Sequence, residues 1–225
     1  MLTATTCQYT AYAHSVKRDN MKVLVTAFDP FGGDNTNSSQ IVLNLLPEVI
    51  ENVIINKMVI PTVYIECAEM AFAKALENDI DVIIALGQAG GRDGIWVETV
   101  GVNYALSKTA DNKGNVLYGE KLFENGENAY FSDLPVKLIE ENINRLGFKC
   151  NLSASAGGFV CNSMLYTILK KAHEGKPGIK SGFIHLPYCE SQGKEGLSMK
   201  DSDIALCVIK AIETVIKSNH ERNNV

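Results

Sequence analysis

The chain has 225 residues, is 46% hydrophobic and carries a formal net charge of −5, a size that suits one core burying roughly 70–75% of the surface exposed by the unfolded chain. An acidic balance without a run of Lys or Arg argues against nucleic acid or an anionic membrane surface as partner, and no apolar run approaches the ~18 residues of a membrane span. Six cysteines, Cys7, Cys67, Cys150, Cys161, Cys189 and Cys207, form no C-x-x-C pair, so neither a zinc site nor a disulfide framework is indicated and a reducing, cytoplasmic setting is expected.

Residues 1–20 are rich in Thr, Ala and Tyr, lack periodicity and end in Lys17-Arg18-Asp19-Asn20 just before Met21. They read as an appendage, either a mis-assigned start or a native extension, with 21–225 as a single domain. From Met21 strands and helices alternate. Val23 to Phe28 is a short apolar strand ended by Asp29-Pro30-Phe31-Gly32-Gly33, and a helix is expected from near Ser38 with Ile41, Val42, Leu45 and Leu46 on one face. Val53 to Ile60 is a second strand closed by Pro61; Thr62 is placed to cap a helix running to about Asn78, with Ile65, Met70, Phe72 and Leu76 as its apolar residues. The run Ile80 to Leu86 is almost continuously apolar, as a central strand covered on both faces should be.

A long irregular region follows, from Gly87-Gln88 through an extended piece at Trp96 to Tyr104 and then polar residues as far as Asn128; a loop of that length in a compact domain is functional or disordered. Leu134-Pro135 opens a helix to about Leu146. Lys149 to Ala154 alternates as a strand, a helix begins near Cys161 with Met164, Leu165, Ile168 and Leu169 at helical spacing, Gly182 to Leu186 is another strand, and a last helix spans about Ser202 to Lys217. The alternation indicates a three-layer α/β/α sandwich with a largely parallel central sheet.

Chemistry concentrates at strand ends. In open α/β sheets ligands bind beyond the carboxyl ends of the strands, and four strands end in unusual residues: Phe28 to Gly33, Gly87-Gln88, Gly158 to Cys161, and His185 before Leu186-Pro187. All four are expected on one rim. Cys161 at a helix start would have its thiolate favoured by unpaired N–H groups and the helix dipole, and the same N–H groups could hold an oxyanion; the bland alternative is a cysteine serving as a small buried hydrophobe. Among the histidines, His14 lies in the appendage, His173 near a helix end and His220 in the polar tail, which leaves His185 as the candidate base. An acid flanked by apolar residues, Glu98 in Ile95-Trp96-Val97-Glu98, would orient its imidazole, although the same residue equally suits the solvent face of a strand. The glycine clusters Phe31-Gly32-Gly33 and Gly90-Gly91-Arg92 would also fit a phosphate nest, yet neither matches a nucleotide-binding loop.

Taken together, Phe28-Asp29-Pro30-Phe31-Gly32-Gly33, Gly87-Gln88-Ala89-Gly90-Gly91-Arg92, Glu98, Phe159-Val160-Cys161-Asn162 and Gly182-Phe183-Ile184-His185-Leu186-Pro187-Tyr188 resemble, in order and spacing across 21–218, the pyroglutamyl-peptidase I family. The resemblance implies a cytosolic cysteine peptidase that removes an N-terminal pyroglutamyl residue from peptides. It also implies a phosphorylase/hydrolase-like α/β/α fold, no metal or other cofactor, and assembly as homodimers or homotetramers. Cys161 matches the nucleophile, His185 the base and Glu98 the acid. Phe28 and Phe31 match aromatic residues enclosing the pyroglutamyl ring, and Asn37, Gln88, Phe159 and Val160 match further substrate-binding positions. In one stretch the chain departs from the family: Lys108 stands where an arginine lies near the reacting carbonyl, and Thr109 where the ring pocket has an apolar residue. Two other classes stay open, a phosphate-dependent nucleoside enzyme on the same fold and a catalytically silent binding module.

Overall fold

A computed structural model describes residues 21–175 and 178–223, so the readings of the first twenty residues lie outside the described residues. In chain order the elements are β1 Val23–Phe28, α1 Ser38–Leu45, β2 Val49–Ile50, β3 Val53–Ile60, α2 Glu66–Glu77, β4 Val82–Gln88, β5 Ile95–Glu98, β6 Val100–Val102, β7 Ala105–Leu106, β8 Tyr118–Glu120, β9 Ala129–Phe131, α3 Val136–Arg145, β10 Cys150–Ser153, α4 Val160–Glu174, β11 Lys180–Leu186, β12 Tyr188–Cys189, β13 Ser198–Met199 and α5 Asp201–Asn223. A seven-stranded sheet runs in the order β10-β5-β11-β4-β1-β3-β2. Among the described residues no helix is long and apolar enough to cross a membrane.

The apolar run of β4 is explained by its place. It lies in the middle of the sheet, parallel to β1 on one side and β11 on the other, and its side chains feed both faces. Val82, Ile84 and Leu86 pack with α1, α3 and α5, while Ile83 and Ala85 pack with α2 and α4. The period of two therefore sorts every central strand into two apolar layers, which yields the expected three-layer sandwich.

Four expectations change. Thr62 does not cap α2: its N–H donates to Asp29 Oδ1 at 2.7 Å and its hydroxyl to Asp29 O at 3.1 Å, and the N-cap is Ile65 at φ 61°. The buried face of α2 consists of Cys67, Ala68, Ala71, Phe72 and Ala75, with Met70 and Leu76 exposed, because α2 packs against α4 and small side chains let the two helices approach. The piece from Trp96 to Tyr104 breaks at Thr99 into β5, inside the main sheet, and β6. The region after it is folded rather than irregular, with β6 paired to β9 and β7 to β8; strands of two or three residues are too short to leave a periodic trace. Finally, β5 runs antiparallel to β11, and β10 runs parallel to β5. The carboxyl end of β10 therefore points away from the rim shared by β1, β4 and β11, and residues 154–159 lead the chain back to the start of α4.

Asn162 ties this returning segment to the small strands. Its Oδ1 accepts the Val102 N–H at 3.0 Å, and its Nδ2 donates to Val102 O and Tyr104 O, each at 2.9 Å. The fit is close, since a Cβ on Gly101 would lie 2.7 Å from the Tyr166 nitrogen. Asn162→Ala leaves these part-buried backbone groups without their partner and should lower stability by roughly 1–3 kcal/mol. The urea midpoint reads this directly; a loss below about 0.5 kcal/mol would show that β6 is anchored by other contacts.

Candidate active site

Strand parity brings the first two functional side chains together. In β11, Ile184 and Leu186 enter the α1/α3/α5 layer, so Phe183 and His185 point to the α2/α4 face; in β5, Ile95 and Val97 enter the former layer, so Trp96 and Glu98 share the latter face with His185. The register sets Phe183 opposite Glu98 and His185 opposite Trp96. Glu98 and His185 are thus diagonal neighbours, within reach of long side chains, and His185 Nδ1 lies 2.7 Å from Glu98 Oε1.

Glu98 is completely buried. An isolated carboxylate there would be forced towards its neutral form, but Arg92 Nη1 donates to the same Oε1 at 2.9 Å, and the guanidinium lies over the Trp96 ring, 4.8 Å from its centroid. Burial opposes the charge; the hydrogen bond and charge of His185, the Ser153 hydroxyl and the charge of Arg92 outweigh it and hold the carboxyl below its ordinary range. For His185, burial outweighs the pull of Glu98 and, with Arg92, moves the imidazole below its ordinary value. At neutral pH the pair is a carboxylate and a neutral imidazole. With Nδ1–H facing the carboxylate, Nε2 is the basic nitrogen.

Cys161 comes to the same rim from α4, next to Gly87, the residue in register with His185. The helix begins at Val160 after Phe159, which provides no side-chain cap, so the first-turn N–H groups are not occupied by a cap. Gly158 allows β7 to come against the turn: the Leu106 N–H donates to Gly158 O at 2.9 Å, and a Cβ there would lie 2.6 Å from Leu106 O. On the opposite side stands Gly87, in register with His185. A Cβ on Gly87 would lie 3.2 Å from Cys161 Sγ and 2.5 Å from Phe183 Cζ, so only glycine leaves room for the thiol at this level. The side chain is half-buried and lines a pocket. Burial, and then the negative charge of Glu98, push the thiol up to about 12 against the opposing pull of Arg92 and its own N–H. Burial thus works against the thiolate expected from the helix start.

The pocket beside Sγ encloses about 220 Å³ including its mouth and is lined by Phe28, Phe31, Asn37, Thr62, Gln88, Phe159, Val160 and Cys161. Phe31 and Phe159 stand 5.9 Å apart, and Tyr64 meets the Phe159 ring edge-on at 5.5 Å. Six of the residues expected here line it: Phe28, Phe31, Asn37, Gln88, Phe159 and Val160. Asn37 also serves the fold as the N-cap of α1, accepting the Ser39 N–H at 3.0 Å.

Lys108 and Thr109 are not brought into the pocket. Both are exposed; the Lys108 ammonium lies over the Tyr118 ring at 5.4 Å, and the Thr109 N–H donates to Ser107 Oγ at 3.1 Å. Sequence reasoning missed Thr62, which looked like a helix cap, and Tyr64, for which no local signal exists. Arg92 appeared in the family pattern without a role and in a glycine cluster suited to phosphate, whereas its guanidinium is engaged by Glu98 and a Cβ on Gly90 would strike the Tyr188 ring. A thiol, a base oriented by a carboxylate and a small aromatic pocket at one rim can carry out acyl transfer through sulfur.

Residues 21–218 match the family model described as pyroglutamyl peptidase. A pyrrolidone-carboxylate peptidase of Clostridium botulinum is 41% identical over 206 residues, spanning 90% of this chain and 95% of that protein. Pyrrolidone-carboxylate peptidase 1 of Caldanaerobacter subterraneus is 41% identical over 88% of this chain and 97% of its own length. Among solved structures, pyroglutamyl peptidase I of Bacillus amyloliquefaciens superposes with a TM-score of 0.83 at 35% identity, covering 87% of this chain and 97% of that one. The pyrrolidone carboxyl peptidase of Pyrococcus furiosus gives 0.83 at 32% identity, covering 88% and 99%. With the model matched across nearly all the described residues and relatives aligned almost end to end, this chain belongs to the pyroglutamyl peptidase family, hydrolases of the cysteine peptidase class.

Proposed function

We propose that the protein removes an N-terminal pyroglutamyl residue from peptides through a thioester on Cys161, with His185 as general base and acid and Glu98 as the carboxylate that orients it. The observation that carries this reading is the 2.7 Å contact of His185 Nδ1 with the buried Glu98, beside a thiol that opens on a small aromatic pocket. A flat, uncharged lactam needs apolar faces with a few polar groups at its edge, which Phe31, Phe159 and the Gln88 carboxamide supply.

Because thiol and imidazole both rest neutral, His185 Nε2 takes the Sγ proton as sulfur attacks the pyroglutamyl carbonyl. The C=O electrons move to oxygen, and the first-turn N–H groups of α4 stabilise the oxyanion. The imidazolium, held by Glu98, then protonates the leaving amine as the C–N bond breaks. Water, deprotonated by the same nitrogen, cleaves the thioester and returns the proton to sulfur. With Lys108 turned onto Tyr118, the oxyanion depends on backbone N–H groups rather than on the residue-108 side chain. The reading carries with it the assembly into dimers or tetramers, which light scattering measures.

Three outcomes are expected. Purified protein should hydrolyse a pyroglutamyl aminomethylcoumarin amide at least ~10³ times better in kcat/KM than the prolyl amide, which lacks the ring carbonyl and carries a charged ring nitrogen; a ratio below about ten would overturn the pyroglutamyl pocket. Cys161→Ser and His185→Ala should each lower the rate by about 10⁴ or more, with Glu98→Gln less severe because the base remains. Near-normal turnover by folded His185→Ala would remove the base from this scheme.

The pH dependence follows from the signs of the shifts. His185 is moved below the ordinary imidazole value of about 6.5, so it stays the free base until the medium is more acidic than that, and kcat/KM should fall only on that side. Cys161 is pushed up to about 12, so its alkylation by iodoacetamide in the free enzyme should keep rising from pH 6 to 9 without levelling. A plateau near pH 6–7 would instead reveal a preformed thiolate–imidazolium pair.

A further inference from the structure

The Gln88 carboxamide has a fixed orientation, and its cause lies in a residue outside the pocket. The Ser38 N–H donates to Gln88 Oε1 at 2.9 Å. A backbone N–H can only donate, so the atom it meets is the oxygen and the usual ambiguity of a glutamine amide is removed. A second donor reaches the same oxygen: Gln192 Nε2, at 2.8 Å. The orientation of Gln192 is fixed in turn, because its Oε1 accepts the Cys189 N–H at 2.9 Å, and its Nε2 also meets Thr36 Oγ1 at 3.3 Å. The relay runs from the Cys189 N–H through Gln192 to Gln88, where the Ser38 N–H closes it. Both lone-pair directions of Gln88 Oε1 are filled, while among the described residues no acceptor takes the hydrogens of its Nε2. Gln88 lines the pocket, and the one end of its carboxamide left uncommitted among the described residues is a donor.

We propose that Gln192, on the turn Glu190–Gln192 that follows the strand of His185, is a specificity-determining positioning residue. It keeps the Gln88 amino group, not its oxygen, facing the ring carbonyl of the substrate. The inference rests on the pyroglutamyl reading above. A carboxamide free to rotate by half a turn would present its oxygen to the lactam oxygen, acceptor against acceptor, and selection for the carbonyl would be lost.

The test compares two carbocyclic substrates without the lactam nitrogen, the aminomethylcoumarin amides of 3-oxocyclopentanecarboxylic and cyclopentanecarboxylic acid; where turnover is slow, Ki of the corresponding simple amides against the pyroglutamyl substrate replaces kcat/KM. Their ratio isolates the ring carbonyl. In the unaltered protein it should favour the oxo compound by on the order of 10–100-fold. Gln192→Glu has no donor for Gln88 Oε1 and attracts the Gln88 amino group instead; Gln192→Met removes the donor at similar volume. Gln192→Glu should bring the ratio to within about threefold of unity; Gln192→Met, in which the Ser38 N–H still holds Gln88 Oε1, should lower it by a smaller factor of about three or more. Both should raise KM for the pyroglutamyl amide more than they lower kcat, with iodoacetamide alkylation of Cys161 unchanged. Should Gln192→Glu fail to fold, Gln192→Met decides. A ratio that persists in either folded variant overturns the inference, as does a ratio near one in the unaltered protein or a parallel loss on both substrates with slower alkylation. Absence of pyroglutamyl hydrolysis in the unaltered protein would defeat the functional reading first, and is distinguishable from these.

Discussion

The site depends on one buried charge. Glu98 has no exposed surface, and a carboxylate so placed persists only with strong donors around it. His185 and Arg92 converge on the same oxygen, and each depends on a different part of the fold. His185 arrives because two neighbouring strands share a parity. Arg92 arrives because the turn after β4 brings its guanidinium over Trp96. Removing a donor from such a pair would leave an uncompensated buried charge, an effect on the order of 3–5 kcal/mol, so the same contacts that orient the His185 imidazole also hold β5 against β11. Function and stability are coupled at this point.

Around this charge, the architecture supplies closeness. Gly87 and Gly158 are the two points where a side chain would collide with Phe183 or with the β7 backbone, and both flank Cys161. The small face of α2, with Cys67, Ala68, Ala71 and Ala75, likewise lets α4 settle low over the sheet. The price of burying the thiol is its acidity, which desolvation and the negative charge of Glu98 reduce against the pull of Arg92 and its own N–H. The small strands β6 to β9 complete the enclosure. Asn162 pins them to α4, and Asn112 Nδ2 ties the following loop to Asp29 Oδ1 at 3.0 Å and Pro30 O at 2.9 Å, beside the aromatic wall formed by Phe28 and Phe31.

How far the site was legible follows from the kind of signal each residue leaves. Phe28, Gly87, Cys161 and His185 sit where an apolar run or a helical period stops, and periodicity reports such ends well because it reflects burial on one or both faces. Lys108 and Thr109 were assigned by alignment with a family pattern, and the local loop placed them outside the pocket, Lys108 against Tyr118. Thr62 was assigned by a capping rule, but its donors found Asp29 instead. Gln192 left no trace at all and the role of Arg92 none beyond its place in a glycine cluster, since their partners are other side chains and not a period in the chain.

The sequence by itself determined the alternating α/β layers, the central place of the Ile80 to Leu86 run and the residue types able to perform acyl transfer, because these follow from local apolar spacing and from side-chain chemistry. Tertiary contacts alone put β5 into the main sheet, run β10 against the strands whose carboxyl ends form the site, and bury the thiol there so that its acidity falls. Strand direction and register are properties of pairs, set by contacts such as that between Glu98 and His185, 87 residues apart. The upward shift of the Cys161 thiol depends first on how much surrounding chain excludes water, a quantity that exists only once the layers have closed.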